Sequence, residues 1–337
     1  MILVTGGTGM VGSNLLLELS KKNSNVIAIK RDSSKLDSVV KLFRENDLSE
    51  NLKKIKWVKA DLLDFIGLAD VFNENNIDEI YHCAAQISYK KSDNEILLEN
   101  NVTTTKNIVD IALQNNIRKM CYVSSIASLG AGQNGADISE ETELVIDGKN
   151  SGYSISKYYA ELEVWRGIAE GLNAVIVNPS VILGSGDWKT GSSSIFSTIY
   201  NGLKFYTKGT TGFVDVIDVA KVMIILMESE INSQRFIINS ENIGYLSLFE
   251  NIANQINKKT PSIYANKLLT GFAWRLEYVK SILTGKQPVI TSNSARTSHK
   301  TLLYSNKKLL KNIDYSFVKV DDSIKYYSKK FLSDINA

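Results

Sequence analysis

The chain has 337 residues, of which 44% are hydrophobic and 22% are charged, enough for one large α/β domain with or without a smaller lobe. A net charge of +3 argues against nucleic acid or a membrane surface as a partner, and the two histidines exclude a multi-histidine metal site. No apolar run reaches membrane-spanning length and no signal-type segment opens the chain, so a cytoplasmic protein is expected.

The chain opens with a predicted strand over residues 2–4, a glycine turn and a helix from residue 10. Glycines 7, 9 and 12 have the G-x-G-x-x-G spacing, in which they permit a sharp turn, close approach of a pyrophosphate and close helix–strand packing. The helix N-terminus adds free N–H groups for phosphates. A glycine turn without a ligand is the alternative, but the motif opens a strand–helix–strand unit, the context it requires. We therefore expect a dinucleotide to bind along Thr5, Gly6, Gly7, Thr8, Gly9, Met10, Val11 and Gly12.

The second predicted strand, 26–29, ends in a basic turn. At this position an acid favours the ribose of NAD and a cation favours the 2′-phosphate of NADP. Arg31 can offer a bidentate fork to a phosphate. We expect NADP to bind through Lys30, Arg31 and Lys35, while Asp32 keeps NAD open and a solvated turn is the alternative.

Two further strands end in candidate cofactor contacts. After the strand over 56–60, Asp61 can accept from the adenine amino group with Leu62 over the ring, or Asp61 can cap the next helix. After the strand over 79–83, small residues let a cofactor lie against the backbone; these contacts are Ala84, Ala85 and Gln86. His82, inside an apolar strand, is expected to be a hydrogen-bonded core residue.

Hydroxyl groups follow the fifth predicted strand. A helix is expected over 100–114 and a strand over 119–123, which ends in Ser124 and Ser125, at the sheet edge that faces the ligand crevice. The loop over 126–151 is long enough for a lid or a binding segment. Tyr153 and Lys157 then lie on one helix face, a pair that is common by chance and informative here because it follows the serine-ended strand.

The alternation continues with a strand over 174–177, a strand returning to a helix over 213–228 and a strand over 234–238. Helices are expected over 246–256 and 264–283. Candidates for the lining of a substrate pocket are Trp188, Phe196, Phe272, Trp274 and Tyr278, but at helical spacing Phe272 and Tyr278 are expected in the core. This order predicts an α/β fold with a right-handed, doubly wound parallel sheet. The cofactor is expected to contact the end of the sixth strand at Asn178, Pro179, Ser180 and Val181.

These motifs, in this order, resemble the extended short-chain dehydrogenase/reductases, which include NAD(P)-dependent epimerases, dehydratases and carbonyl reductases. The resemblance covers nearly the whole chain; it rests on the opening glycines, 81–85, 101–102, 124–125, Tyr153 with Lys157, 178–180, 213–218 and 304–309. The chain looks most like dihydroflavonol reductase-type carbonyl reductases, from Arg31 with Asp32 and from Asn178 with Pro179. In addition, residues 209–212 lack the arginine that many nucleotide-sugar epimerases use to hold a diphosphate.

The resemblance implies a Rossmann domain over 1–179 with a returning segment over 213–240, and a smaller, mainly helical substrate lobe over 180–212 and 241–337. It implies that Tyr153 is the general acid, that Lys157 lowers its pKa and binds the nicotinamide ribose, and that Ser125, with Ser124 as rival, contacts the substrate oxygen. Asn101 would support Lys157 through a water. The expected activity is NADP-dependent reduction of a small-molecule carbonyl; the alternatives are a nucleotide-sugar epimerase or dehydratase and a non-catalytic dinucleotide-sensing regulator. A homodimer is common in such proteins.

Overall fold

The computed structural model describes residues 1–22, 24–31, 36–88, 90–132, 135–285, 288 and 290–336. Its strands are β1 (Ile2–Thr5), β2 (Val26–Lys30), β3 (Lys56–Lys59), β4 (Glu79–His82), β5 (Lys119–Val123), β6 (Asp137–Ile138), β7 (Ala174–Pro179), β8 (Val181–Leu183), β9 (Phe205–Tyr206), β10 (Thr210–Asp215), β11 (Gln234–Ile238), β12 (Glu241–Gly244), β13 (Ile263–Tyr264) and β14 (Leu303–Tyr304). Its helices are α1 (Met10–Lys21), α2 (Asp37–Glu45), α3 (Ser49–Leu52), α4 (Phe65–Asn73), α5 (Asn94–Gln114), α6 (Gly152–Ala169), α7 (Ser194–Tyr200), α8 (Val216–Glu228), α9 (Tyr245–Gln255), α10 (Lys267–Thr284), α11 (Ser292–Thr297), α12 (Lys307–Asn312) and α13 (Val320–Ile335). Short 3₁₀ helices lie at Lys91–Asp93 and Ile126–Ser128.

A seven-stranded sheet with the order β11-β7-β5-β4-β1-β2-β3 forms the centre of the molecule. All its pairings are parallel. From β1 the chain adds β2 and β3 on one side of the sheet and β4 on the other, so the strand order switches between β1 and β4. A ligand crevice is expected at the carboxyl ends of the strands at such a point. The α/β, doubly wound prediction is therefore confirmed.

Neighbouring residues of each strand enter different cores. Val4 belongs to a buried cluster with side chains of α1 and α8, whereas Leu3 belongs to a cluster with side chains of α5 and α6. Because successive strand residues point to opposite faces, a strand covered on both sides is apolar throughout. This explains the unbroken apolar runs from which the strands were predicted.

A smaller unit begins where the chain leaves the central sheet. β7 ends at Pro179 and β8 begins at Val181, in a three-stranded sheet with the order β12-β10-β8. A third buried cluster, which includes Phe196, Phe213 and Phe331, joins this sheet to helices α7, α9 and α13. The smaller, mainly helical lobe agrees with expectation; the domain boundaries at 179, 213 and 240 stay a prediction.

The buried carboxylate of Glu140 covers part of the outer edge of the central sheet. Its Oε1 atom accepts a hydrogen bond from the Ile237 N–H of the edge strand β11 at 2.8 Å. The Arg235 guanidinium of the same strand donates to the backbone oxygen of Glu140. Glu140 is only 4% exposed, so the segment before α6 packs firmly against this edge.

The prediction for helix α10 was wrong in two respects. The helix begins at Lys267 rather than 264, because Ile263–Tyr264 pairs with β9 and Asn266 caps the helix by accepting from the Leu269 N–H at 2.9 Å. Phe272 and Tyr278 are 61% and 43% exposed rather than buried. Within the described ranges, none of the helices has both the length and the apolar character needed to span a membrane.

Candidate active site

The glycine turn between β1 and α1 has no room for side chains. Gly6 has a φ of +67°, and a methyl group there would lie 2.6 Å from the backbone nitrogen of Ala84. A methyl group on Gly12 would overlap the carbonyl oxygen of Gly6. The turn is closed by a hydrogen bond from the Gly9 N–H to the Gly6 oxygen at 2.9 Å, so the helix sits directly against the turn.

The N-terminus of α1 suits an anion. Gly9 caps the helix without a side-chain hydrogen bond, and its first turn contains no acidic residue. The N–H groups of this turn and the helix dipole are therefore available to a phosphate. Met10 and Val11 are half-buried against the apolar cluster of the smaller unit, so the start of α1 touches both parts of the molecule.

The basic turn after β2 is described only in part. Lys30 is half-buried at the end of the strand and Arg31 is exposed. Lys35, like Asp32, lies outside the described residues. The described cations are thus at the carboxyl end of β2, on the same edge of the sheet as the glycine turn.

Asp61 and Leu62 follow β3 with roles that differ in part from expectation. Asp61 does not cap a helix: it accepts from the Leu63 N–H at 3.0 Å, while α4 is capped by Asp64, which accepts from the Gly67 N–H at 3.1 Å. Leu62 is 9% exposed and packs in the core. The Asp61 side chain is exposed at the sheet edge, where a nucleobase contact stays a prediction.

The segment after β4 is held by hydrogen bonds to its backbone. The Ala84 N–H donates to Thr5 Oγ1 at 3.2 Å, so this segment lies against the glycine turn. Asn101 clamps Gln86: its Oδ1 accepts from the Gln86 N–H at 2.7 Å and its Nδ2 donates to the Gln86 oxygen at 3.0 Å. Asn101 Nδ2 also donates to Ser156 Oγ at 3.0 Å. Asn101 thus positions Gln86 directly, and its support of Lys157 through a water stays a prediction.

His82 is a core residue, as predicted. Its ring nitrogens hydrogen-bond Thr5 Oγ1 at 2.7 Å and Thr105 Oγ1 at 3.2 Å. Burial, and secondarily the charge of Lys157, lowers the pKa of His82 to about 3. The ring is therefore neutral at physiological pH and links the glycine turn to α5.

The two serines after β5 have different surroundings. Ser124 is 4% exposed and its hydroxyl donates to Glu161 Oε2 at 2.6 Å. Ser125 is half-buried, and its hydroxyl oxygen accepts from the Ala127 N–H at 3.1 Å. That bond leaves the Ser125 O–H group able to donate, whereas Ser124 is committed to the interior. This geometry favours Ser125 over Ser124 as the expected donor to the substrate oxygen.

Tyr153 lies in the first turn of α6, which is capped by Ser151 through a bond from the Ser154 N–H at 3.0 Å. Ser154 Oγ also donates to the Ala127 oxygen. The turn that carries Tyr153 is therefore fastened to the 3₁₀ segment that follows Ser125. Tyr153 itself is half-buried.

Lys157, one turn further, is 2% exposed and points toward β5. Its ammonium donates to the Tyr122 hydroxyl at 2.9 Å and to the Val123 oxygen at 2.7 Å. Burial lowers the pKa of Lys157 to about 7, against the opposing effect of the Glu161 carboxylate. A lysine that gains or loses its proton near neutrality is typical of a functional site.

Asn178, near the end of β7, forms hydrogen bonds with residues on either side of the candidate site. Asn178 Nδ2 donates to Ser128 Oγ at 3.0 Å, to the Ser125 oxygen at 3.2 Å and to Glu161 Oε2 at 2.9 Å. Asn178 Oδ1 and Ser180 Oγ are buried without a hydrogen-bond partner among the described residues. Pro179 is buried and Val181 is half-buried at the start of β8. Unsatisfied buried acceptors and donors of this kind need a partner, which agrees with a polar ligand at this strand end.

Sequence reasoning missed the residues that hold these groups in place. Glu161 is the centre of a buried network: besides Ser124 and Asn178, it accepts from Ser128 at 2.8 Å and pairs with Arg235 at 2.9 Å. Glu161 lies four residues after Lys157 on the same helix face, and this spacing indicates in the sequence that the two side chains are neighbours. Tyr122 gave no such signal, because an apolar strand position does not show where a phenol points. Among the described residues, no cluster of His, Cys, Asp and Glu could hold a metal ion.

Comparisons with known proteins agree with this geometry. A protein from Synechocystis sp. named "Putative dihydroflavonol 4-reductase" is 28% identical over 318 residues, which is 92% of this chain and 88% of that protein. The crystal structure of gox2253 has a TM-score of 0.79 at 26% identity and covers 96% of both chains. The UDP-glucose 4-epimerase of Thermotoga maritima, solved with UDP-glucose, has a TM-score of 0.76 at 16% identity over 99% of both chains, which shows the shared fold.

A family model described as "NAD dependent epimerase/dehydratase family" matches residues 2–239, from β1 to the end of β11. That span contains the glycine turn, the paired serines, Tyr153, Lys157 and the end of β7. The cradle without side chains at Gly6 and Gly12, together with the open helix N-terminus, fits the dinucleotide of that family. The chain therefore belongs to the NAD dependent epimerase/dehydratase family, as an NAD(P)-dependent enzyme of the extended short-chain dehydrogenase/reductase type.

Proposed function

We propose that the protein is an NADP-dependent reductase that acts on a carbonyl group of a small molecule. The observation that supports it best is the bond from Ser154 to Ala127, which brings the turn of Tyr153 against the segment after Ser125. The resemblance to dihydroflavonol reductase-type enzymes and the name of the Synechocystis relative favour the same class.

In this proposal a bound nicotinamide supplies the hydride, and the chain manages the substrate oxygen. The Tyr153 phenol donates a proton to the oxygen as negative charge develops on it, and Ser125 donates a second hydrogen bond. A phenol has a reference pKa of about 10, so it needs a nearby cation to exchange its proton at neutral pH. Lys157, one turn along the same face, supplies that charge. The smaller unit over 180–212 and 241–337 would bind the rest of the substrate.

Replacing Tyr153 by Phe tests the acid assignment. The change removes one hydroxyl from a half-buried side chain, so NADPH binding should persist while NADPH oxidation falls by about 10²–10⁴-fold. Tyr159→Phe, on the same helix and 41% exposed, is the matched control and should keep full activity. Unchanged turnover in Tyr153→Phe would overturn the assignment. Activity can be found first with a panel of aldehydes and ketones.

The preference for NADP rests on Lys30 and Arg31 at the end of β2. A guanidinium that holds a 2′-phosphate distinguishes the two cofactors, so Arg31→Ala should weaken NADPH binding by about tenfold and leave NADH binding unchanged. Equal affinities for both cofactors in the parent and in the variant would rule out the phosphate contact.

Epimerisation or dehydration of a nucleotide-linked sugar is the alternative within the family. Residues 209–212 comprise the first residues of β10 and the residue before it and contain no cation for a diphosphate, which favours the reductase. A dinucleotide that stays bound through purification, with a raised melting temperature in the presence of a UDP-sugar, would reverse that preference. A non-catalytic regulator is disfavoured because Tyr153 and Lys157 are both present.

A further inference from the structure

Helix α10 carries an exposed apolar face that the proposed chemistry does not use. Five apolar side chains follow one another at intervals of four, four, three and four residues, which places them in one stripe along the helix. They are Leu268, Phe272, Leu276, Val279 and Leu283, with exposed fractions of 85, 61, 55, 53 and 80%. Ile282 extends the stripe at 65% exposure. Exposed apolar side chains that are contiguous in this way mark a binding surface.

The opposite side of α10 faces the protein. Thr270 is its only buried residue, and the Thr270 hydroxyl hydrogen-bonds His299 at 2.9 Å, beside α11. A cavity of about 540 Å³ lies between these helices, and its lining includes the cations Lys267, Arg296 and Lys300 and no acidic residue. The apolar stripe therefore points away from the molecule, and the cationic cavity lies on the opposite side of the helix, between α10 and α11.

The segment of the chain that contains α10 and α11 is strongly basic. Residues 258–300 contain eight Lys and Arg residues and one acidic residue, Glu277, a net charge of +7. Because the whole chain carries +3, the remaining residues together carry −4. The small net charge of the whole chain was the reason that no membrane contact was expected. That total does not report the local charge of residues 258–300, the basic segment that contains the amphipathic helix α10.

We propose that α10 lies in the surface of an anionic lipid bilayer, with its apolar stripe among the acyl chains and the surrounding cations among the headgroups. An exposed apolar stripe of Leu, Phe and Val, bordered on the same helix by the exposed cations Arg275 and Lys280, is the pattern of helices that bind in the plane of a membrane. A second copy of the chain is a poor occupant, because two segments of +7 repel each other. Nucleic acid is a poor one because aliphatic side chains give it neither stacking nor charge.

Helix α11, against which α10 packs, contacts the segment that leads into the candidate active site. Arg296 in α11 donates to the backbone oxygen of Lys149 at 3.3 Å, four residues before Tyr153. A bilayer against the exposed stripe would lie on the opposite side of α10 from α11 and this segment. The proposed membrane contact does not depend on the proposed reductase function.

Flotation of the full chain with lipid vesicles tests the proposal. Vesicles of phosphatidylcholine mixed with phosphatidylglycerol should carry the protein upward, whereas vesicles of phosphatidylcholine alone should carry little, and high salt should weaken the binding. Leu276→Gln combined with Leu283→Gln should lower the partition coefficient at least about tenfold. Ile66→Gln, at a side chain 76% exposed on α4, is the matched control and should bind like the parent.

The variants change exposed side chains, so far-UV circular dichroism and the melting temperature should match the parent. Absence of flotation with anionic vesicles, or equal flotation of the Leu276/Leu283 variant, overturns the proposal. So does a parent dimer in analytical ultracentrifugation that becomes monomeric in that variant, which would assign the stripe to a second copy. Binding of single-stranded RNA that displaces the vesicles and is unchanged in the variant would also overturn it. Unchanged turnover in Tyr153→Phe, which would overturn the acid assignment, leaves all these outcomes unaffected, so the two proposals fail separately.

Discussion

The ammonium of Lys157 lies 2.9 Å from the hydroxyl of Tyr122, on the neighbouring strand β5. The same ammonium lies over the Tyr122 ring, 4.5 Å from its centre. Burial keeps Tyr122 a neutral phenol by raising its pKa well above the usual range. Tyr122 is therefore a fixed acceptor for a buried charge, and it positions the lysine that the proposed mechanism requires.

Replacing Tyr122 by Phe should make the charged form of Lys157 less favourable. A hydrogen bond to a charged group contributes about 1.5–3 kcal/mol, and 1.36 kcal/mol corresponds to one pKa unit, so the pKa of Lys157 should fall by about one to two units. The pH profile of kcat/KM for NADPH oxidation should then begin its descent at lower pH. Tyr81→Phe, at a buried tyrosine of β4, is the control. An unchanged descending limb would show that Tyr122 does not act through Lys157.

Lys157→Met should alter the pH dependence of stability. Burial lowers the folded-state pKa of Lys157 from 10.5 to about 7. Between these values the unfolded chain binds more protons, so the free energy of unfolding rises with pH across this window and is lowest below pH 7. The variant should lack that rise, amounting to roughly 2 kcal/mol between pH 7 and pH 9. Urea unfolding at the two pH values measures it, with exposed Lys106→Met as the control; parallel pH curves for parent and Lys157→Met would contradict it.

Glu161→Gln should destabilise the fold strongly. The Glu161 side chain is 3% exposed and pairs with Arg235, so neutralising it leaves a partly buried guanidinium without its counter-charge. Breaking a buried pair in this way costs about 3–5 kcal/mol. Glu163→Gln, on the same helix but in a surface pair with Arg166, should cost less than about 1 kcal/mol. Urea unfolding followed by fluorescence distinguishes the two variants. Equal losses in the free energy of unfolding would show that the buried network stabilises the fold no more than the surface pair does.

Gly12→Ala should impair both the glycine turn and cofactor binding. Its methyl group would overlap the Gly6 oxygen, so α1 must move away from the turn. NADPH affinity should fall by at least about tenfold, and the melting temperature should also fall. Gly271→Ala is a matched control in another helix, where the nearest atom to a new methyl group is 3.6 Å away. That change should raise stability by about 0.5–1 kcal/mol. Unaltered NADPH binding in Gly12→Ala would argue against the cradle.

Much of the central sheet was predictable because its strands are buried on both faces. β5 and β11 have the predicted bounds, and β1, β2, β3 and β4 differ by one residue. The short strands β6, β9, β13 and β14 were not predictable, because two-residue pairings such as Ile263 with Phe205 depend on contacts distant in sequence. Phe272 and Tyr278 were placed in the core because helical spacing alone does not tell which side of an amphipathic helix meets the protein.

The candidate site was predictable as a set of positions but not as a set of contacts. Strand ends and helix spacing indicate that Ser125, Tyr153 and Lys157 share one edge of the sheet. They do not reveal that Ser124 is bonded to Glu161, or that Asn101 clamps the backbone of Gln86. Those contacts depend on rotamers and on residues from other elements, which a single sequence does not specify.

The position of Glu140 on the outer strand of the central sheet has a consequence for self-association. Open sheet edges are templates on which strands of other molecules can add. Because the Glu140 carboxylate already occupies the Ile237 N–H, a foreign strand cannot extend the sheet there without displacing it. One carboxylate thus protects this border of the molecule against edge-to-edge polymerisation.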